Sequence, residues 1–117
     1  MKSYTDIEQS RKLAEILPLE SADMYYIYNI PYAIPYKNRI GVAKPCWSLS
    51  ALLEVLPDEI TDDGDVYRNM FFHLKGRYII QYPRLTTLWP SLLSVEADNT
   101  VDACYEMILK LHEQKLI

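Results

Sequence analysis

The chain reads as an α+β fold, with an antiparallel sheet of about four or five strands and three helices, the last an amphipathic C-terminal helix. Three observations predict it. Apolar side chains recur at helical spacing in three stretches, two of which end at a proline. Segments rich in Tyr, Ile and Phe lie between them and flank the turn dipeptide Lys75-Gly76. The length of 117 residues suits a single globular domain spanning residues 1–117, large enough for one core.

The first helix is expected to start at Thr5, with Glu8 three residues on to complete a capping box. Ile7, Leu13, Ala14 and Leu17 then form one side, and Glu8, Arg11, Lys12 and Glu15 the other, until Pro18 stops the helix. Met24 to Ile30 reads as a strand, and Pro31 and Pro35 place the segment after it at a sheet edge. Lys37-Asn38-Arg39 reads as a turn, with a short strand returning over Ile40–Ala43 around Gly41.

After Pro45, Ser48 or Ser50 is positioned to cap a short helix carrying Leu49, Leu52, Leu53 and Leu56, with Glu54 its one charge. So apolar a helix should be largely buried. Pro57 ends it, and Asp58–Asp65 with Gly64 reads as a surface loop. Val66–Leu74 and Arg77–Tyr82 form a hairpin in which Leu74 faces Arg77, His73 faces Tyr78 and Phe72 faces Ile79. Met70, Phe72, Leu74 and Ile79 then share one face, and Phe71, Ile80 and Tyr82 the other. Apolar groups on both faces mean a strand pair covered on both sides, or one face left open for association. Tyr82 to Pro90 is a connection heavy in large groups, and Leu92–Ala97 is a further strand.

Asp98-Asn99-Thr100 opens the last helix, whose Val101, Cys104, Ile108 and Leu111 form one narrow stripe. Asp102, Glu106, Lys110 and Glu113 lie opposite, with Glu106 and Lys110 spaced to pair. Burial of the stripe carries more weight, at roughly 1.5–3 kcal/mol per large side chain.

Chemistry is scarce. There is no G-x-G-x-x-G, Walker A, G-x-S-x-G or H-E-x-x-H pattern, and three glycines leave little material for a phosphate-cradling loop. Asp62-Asp63-Gly64-Asp65 fails as a calcium loop, because Met70 stands where the terminal Glu is required. Sixteen carboxylates guarantee some spatial pair, but spacing selects none for acid–base work. No catalytic residue, cofactor or metal ligand is therefore assigned. Cys46, ahead of the second helix, is the one candidate nucleophile, with His73 or His112 as base. Its bland alternative is a small buried residue beside Trp47, and Cys104 lies in the last helix's apolar stripe.

A net charge of −4 argues against nucleic acid, though Lys75, Arg77 and Arg84 near the hairpin offer an antitoxin-like regulatory alternative. No apolar run reaches bilayer length and no signal peptide opens the chain, so a cytoplasmic setting is expected. The first-ranked function is a non-enzymatic accessory protein that binds a protein partner or a second copy of itself. Its candidate contacts are the surplus aromatic residues: Tyr25, Tyr26, Tyr28, Tyr32, Tyr36, Phe71 and Trp89.

The runs Glu8-Gln9-Ser10, Lys12–Pro18, Ser21–Met24, Pro45–Leu49 to Pro57, and Ala97–Cys104 together resemble uncharacterised small proteins of Bacteroides-type gut bacteria and their phages or mobile elements. The resemblance implies a cytoplasmic, phage- or mobile-element-related setting, and no activity or site residue comes with it. That family often carries proline where Thr100 stands, so Thr100 is expected to cap the last helix.

Overall fold

In the computed structural model, residues 2–33, 43–87 and 91–117 are described. Among them are three α-helices and eight strands, all strand pairs being antiparallel, so the fold is α+β. The chain forms two compact units, Met1–Val55 and Leu56–Ile117.

The first unit holds α1 (Ile7–Ile16), a 3-10 turn (Leu19–Ser21), β1 (Met24–Ile27), β2 (Ile30–Tyr32), β3 (Lys44–Cys46) and α2 (Leu49–Val55). Its sheet has the order β2-β1-β3. Asp6, not Thr5, caps α1, and Gln9 rather than Glu8 completes the capping box. Thr5 is unavailable because its side chain is fully buried in other bonds described below.

The expected Met24–Ile30 strand is broken into a hairpin. Ile27 pairs with Ile30 across Tyr28 and Asn29, both at positive φ (50° and 66°). Two consecutive left-handed residues make the turn whose twist matches antiparallel strands, and Asn tolerates that conformation well. β2 lies at the edge of the sheet, where Pro31 needs no ladder partner. Pro45 sits likewise on the other edge strand, β3. The turn expected at Lys37-Asn38-Arg39, and all of the strand expected to follow except Ala43, lie outside the described residues.

Ser48 caps α2, its Oγ accepting from the Ala51 amide at 3.2 Å. Ala51 and Leu52 are buried while Leu53 is exposed, so the helix is less covered than its composition suggests.

The second unit holds β4 (Glu59–Asp62), β5 (Asp65–Arg68), β6 (Met70–Leu74), β7 (Arg77–Pro83), β8 (Ser91–Ala97) and α3 (Thr100–Glu113). The expected acidic loop is the β4–β5 hairpin, turning on Asp63 and Gly64 at φ 50° and 83°. An Asp-Gly dipeptide supplies two positive φ angles at low cost, which overrides the poor strand propensity around it. The β6–β7 hairpin has the expected register, Leu74 to Arg77, His73 to Tyr78 and Phe72 to Ile79.

β5 and β6 are two halves of one bent strand. Tyr67 bridges Arg84, and the Leu85 amide donates to the Val66 carbonyl at 2.8 Å, in the same register that joins Met70 to Gln81. On the opposite side of that strand, the β4–β5 ladder runs on to Asn69, whose amide donates to the Asp58 carbonyl at 2.9 Å. Beyond Asn69 this outer ladder stops. The predicted single sheet is thus divided into three: β4-β5 and β6-β7-β8 in this unit, linked by the bend at Asn69, and β2-β1-β3 in the first.

Asn99, not Thr100, caps α3, with Oδ1 accepting from the Asp102 amide at 2.8 Å. Thr100 is the first helical residue. Val101, Cys104, Ile108 and Leu111 are fully buried as expected, and Met107 joins them. The helix packs on β7 and β8, whose Ile80, Tyr82 and Val95 belong to the same core. His112 is exposed. Lys110, expected to pair with Glu106, directs its Nζ to the Ser94 carbonyl at 3.4 Å.

Two stability measurements follow from this architecture. Truncation at Leu111→Ala removes a fully buried side chain and should lower unfolding free energy by about 2–5 kcal/mol in urea titrations. Gly76→Ala places a Cβ in open space but at φ 77°, so the loss there should be backbone strain alone, about 1 kcal/mol, with Gly76→Asn losing less.

Candidate functional site

The buried polar groups of the first unit form a structural knot around Thr5. Its amide donates to the Trp47 carbonyl (2.9 Å), and its Oγ1 accepts from the Trp47 amide (3.1 Å) and bonds Ser10 Oγ (2.7 Å). Its carbonyl accepts from Tyr26 Oη at 2.6 Å and from Cys46 Sγ at 3.5 Å. Trp47 Nε1 donates to Ser21 Oγ, which donates on to the Pro18 carbonyl. Asp23 accepts from the Ser48 amide at 2.9 Å and from the Ser48 hydroxyl. Each donor has found an acceptor, as a buried network requires.

Cys46 belongs to this knot. Burial pushes its thiol above the ordinary range, only partly opposed by hydrogen bonds from Thr5, Tyr26 and Ser10. Burial also raises Tyr26 strongly. A thiol held protonated is a poor nucleophile. Neither histidine lies in the unit containing Cys46: His73 is on β6, stacked on Tyr78 with ring centroids 4.3 Å apart, and His112 is near the end of α3. Among the described residues no group of three or more His, Cys, Asp and Glu is placed to hold a metal ion.

The basic residues near the hairpin are largely spoken for. Arg77 meets Asp98 and, at 3.8 Å, Glu96, while Arg84 meets Asp65 at 3.2 Å. Lys75 stands at the exposed turn. Carboxylates of the same unit therefore cancel most of the charge that phosphate recognition would need.

The aromatic candidates divide. Tyr25 and Tyr26 are core residues. Tyr32 stacks on Tyr25 at 5.1 Å and is partly exposed, and Tyr28 at the hairpin tip is 85% exposed. Tyr36 and Trp89 lie outside the described residues. Phe71 is 44% exposed on β6, where it is joined by Phe72 (43%) and Leu74 (60%). The last two lie on the hairpin face opposite Phe71, as their alternation along the strand predicts.

β6 is distinctive in its backbone as well. In a two-residue hairpin the residues flanking the turn exchange both hydrogen bonds, so Leu74, Phe72 and Met70 direct their N–H and C=O groups towards β7. Phe71 and His73 direct theirs the other way. They continue the row in which Asn69 bonds Asp58, past the point where β4 ends, and β6 has no second strand neighbour among the described residues.

Other edges carry protection that β6 lacks. β2 contains Pro31, β3 contains Lys44 and Pro45, β4 carries Glu59 and Asp62, and on β8 Lys110 covers the Ser94 carbonyl. Prolines and charges of this kind stop edges from acquiring new strands. Met70–Leu74 has neither. The arrangement can do one thing chemically: accept a further strand through the main chain of Phe71 and His73, with apolar side chains gripping it above and below.

No protein-family model, curated protein or solved structure matches the chain. No helix among the described residues is long and apolar enough to cross a membrane.

A buried thiol and a buried phenol generate a pH prediction. Burial pushes Cys104 from 9.0 up to about 12 and Tyr82 from 10.0 up to about 12. The unfolded chain loses these protons first, so their contribution to stability is complete below pH 9 and declines as pH rises towards 12. Urea midpoints should be flat up to that lower bound and fall steeply by about pH 11, with the Cys104→Ala variant falling less.

Proposed function

We propose that the chain is a non-enzymatic accessory protein that binds a protein partner by strand addition at β6. The observation that carries this reading is the coincidence, in one strand, of outward backbone groups at Phe71 and His73 that meet no second strand among the described residues with exposed Phe71, Phe72 and Leu74. Main-chain bonds supply affinity in such binding, and pockets for alternate side chains supply selectivity. Natural proteins blunt edges of this kind unless the edge is used. The free, buried Cys46 and Cys104 are compatible with a reducing, cytoplasmic compartment. The same setting is what a resemblance to small proteins of gut bacteria and their mobile elements would imply.

The test uses two short extended peptides, one with the sequence of residues 69–76 and one of alternating Val and Thr, titrated while backbone amide resonances are followed. At least one should shift the Phe71 and His73 amides and slow their hydrogen exchange. His73→Pro removes one outward donor without touching the ladder to β7 and should abolish the response. Leu74→Lys, at an exposed position, should weaken it while leaving the melting temperature nearly unchanged. Undisturbed Phe71 and His73 amides with both peptides at millimolar concentration would sink the reading.

A further inference from the structure

We infer that the hollow between α1 and the β1–β3 strand pair binds a small monocarboxylate whose apolar body is about the size of one ring. The hollow belongs to the first unit, so the inference stands apart from the strand-addition reading of β6. Three features select this ligand chemistry.

The first is the wall. Ile7, Ser10, Arg11 and Ala14 follow the i, i+3, i+4, i+7 spacing of one helix face, and Tyr26, Lys44 and Pro45 of the paired strands β1 and β3 line the other side. The hydroxyls in this wall are engaged in the Thr5 knot: Tyr26 Oη donates to the Thr5 carbonyl at 2.6 Å, and Ser10 Oγ bonds Thr5 Oγ1 at 2.7 Å. What the wall offers a ligand body is chiefly the carbon of Ile7, Ala14, Tyr26 and Pro45. A polar body would give up its water there for little return.

The second is size. The hollow has a volume of about 180 Å³. A cavity of about 150 Å³ accepts a benzene ring, so a single ring with its head group at the mouth fills this one. A larger hollow of about 410 Å³ shares Tyr26 and Lys44, but its other described walls, Tyr28 and Asn29, form an exposed turn. With Tyr28 85% exposed, it gives a ring little shelter from water.

The third is charge. Arg11 and Lys44 are the exposed members of the lining, one on each wall, and both are cations. Among the described residues Lys44 makes no ion pair, and no carboxylate lines the hollow. Arg11 gives Nη1 to both Glu8 oxygens, at 3.2 and 3.4 Å, in an exposed pair of little worth. Its Nε and Nη2 remain for a second carboxylate, which the planar guanidinium fork fits. Because both cations stand at the surface, the ligand's carboxylate stays at the mouth and keeps part of its hydration, which avoids the cost of burying a charge.

Benzoate, benzyl alcohol and benzylamine share a ring and differ in charge, and each is titrated into the full chain while backbone amide resonances are followed. Benzoate should shift the Ser10, Arg11, Ala14 and Lys44 amides, leave those of Phe71 and His73 unmoved, and bind about tenfold more tightly than benzyl alcohol, with benzylammonium weakest. Arg11→Gln and Lys44→Gln, at exposed positions, should each weaken benzoate about three- to tenfold and leave benzyl alcohol unchanged. Ala14→Leu fills the hollow and should abolish benzoate binding in a chain shown to be folded by circular dichroism. The ligand series and the two charge variants decide the matter on their own if Ala14→Leu does not fold. Unmoved amides at tens of millimolar benzoate, equal affinity for benzoate and benzyl alcohol, or binding that survives Ala14→Leu overturns the proposal. So does a charge variant that leaves benzoate unaffected or weakens both ligands alike. None of these failures touches the strand-addition reading, which its own peptides test.

Discussion

One helix can cover about two strands. A helix with its side chains is about 10 Å wide and neighbouring strands are about 4.8 Å apart, so α3 shelters β7 and β8 and runs out of width at β6. The gradient of burial across the sheet follows from this mismatch. Ile80 and Tyr82 on β7 are fully buried, Val95 on β8 nearly so, and no residue of β6 is buried. The candidate site is the part of the sheet left over after its one long helix has been placed.

The bend at Asn69 decides how much is left over. Before it, the strand is paired on both sides, with β4 outside and with Arg84 and Leu85 inside. After it, only the β7 side is paired. Because main-chain N–H and C=O groups alternate in direction along a strand, stopping the outer ladder at Asp58 leaves the outward row at Phe71 and His73 without a strand partner among the described residues. The hairpin turn at Lys75 and Gly76 closes the stretch at its other end.

What was legible in the sequence was whatever depended on local periodicity. The α3 stripe could be read because Val101, Cys104, Ile108 and Leu111 all face one core. The β6–β7 register could be read because Gly76 marks a two-residue turn and all else follows by counting. The β4–β5 hairpin was equally marked by Asp63-Gly64, but the acidic composition around it masked the signal; residues exposed as heavily as Glu59, Thr61 and Asp62 need no apolar pattern to pair. The Tyr28–Asn29 turn had a weaker mark, since a tyrosine at positive φ runs against its own preference. Thr5 was misread as a helix cap because its hydroxyl is claimed from far away, by Trp47. At the site, Phe71 was legible as a surplus aromatic, whereas the free edge was not: it depends on where β4 stops, which is a tertiary fact.

The Thr5 knot and the sheets of the second unit also differ in how far along the chain their contacts reach. Strand pairs of the second unit join sequence neighbours through short connections, whereas Thr5 bonds Trp47 at a separation of 42 residues. Closing a long loop costs more conformational entropy than closing a short one, so the Thr5 knot carries the larger closure cost of the two. The β6 edge, by contrast, belongs to the part of the chain whose pairing needs only short loops closed.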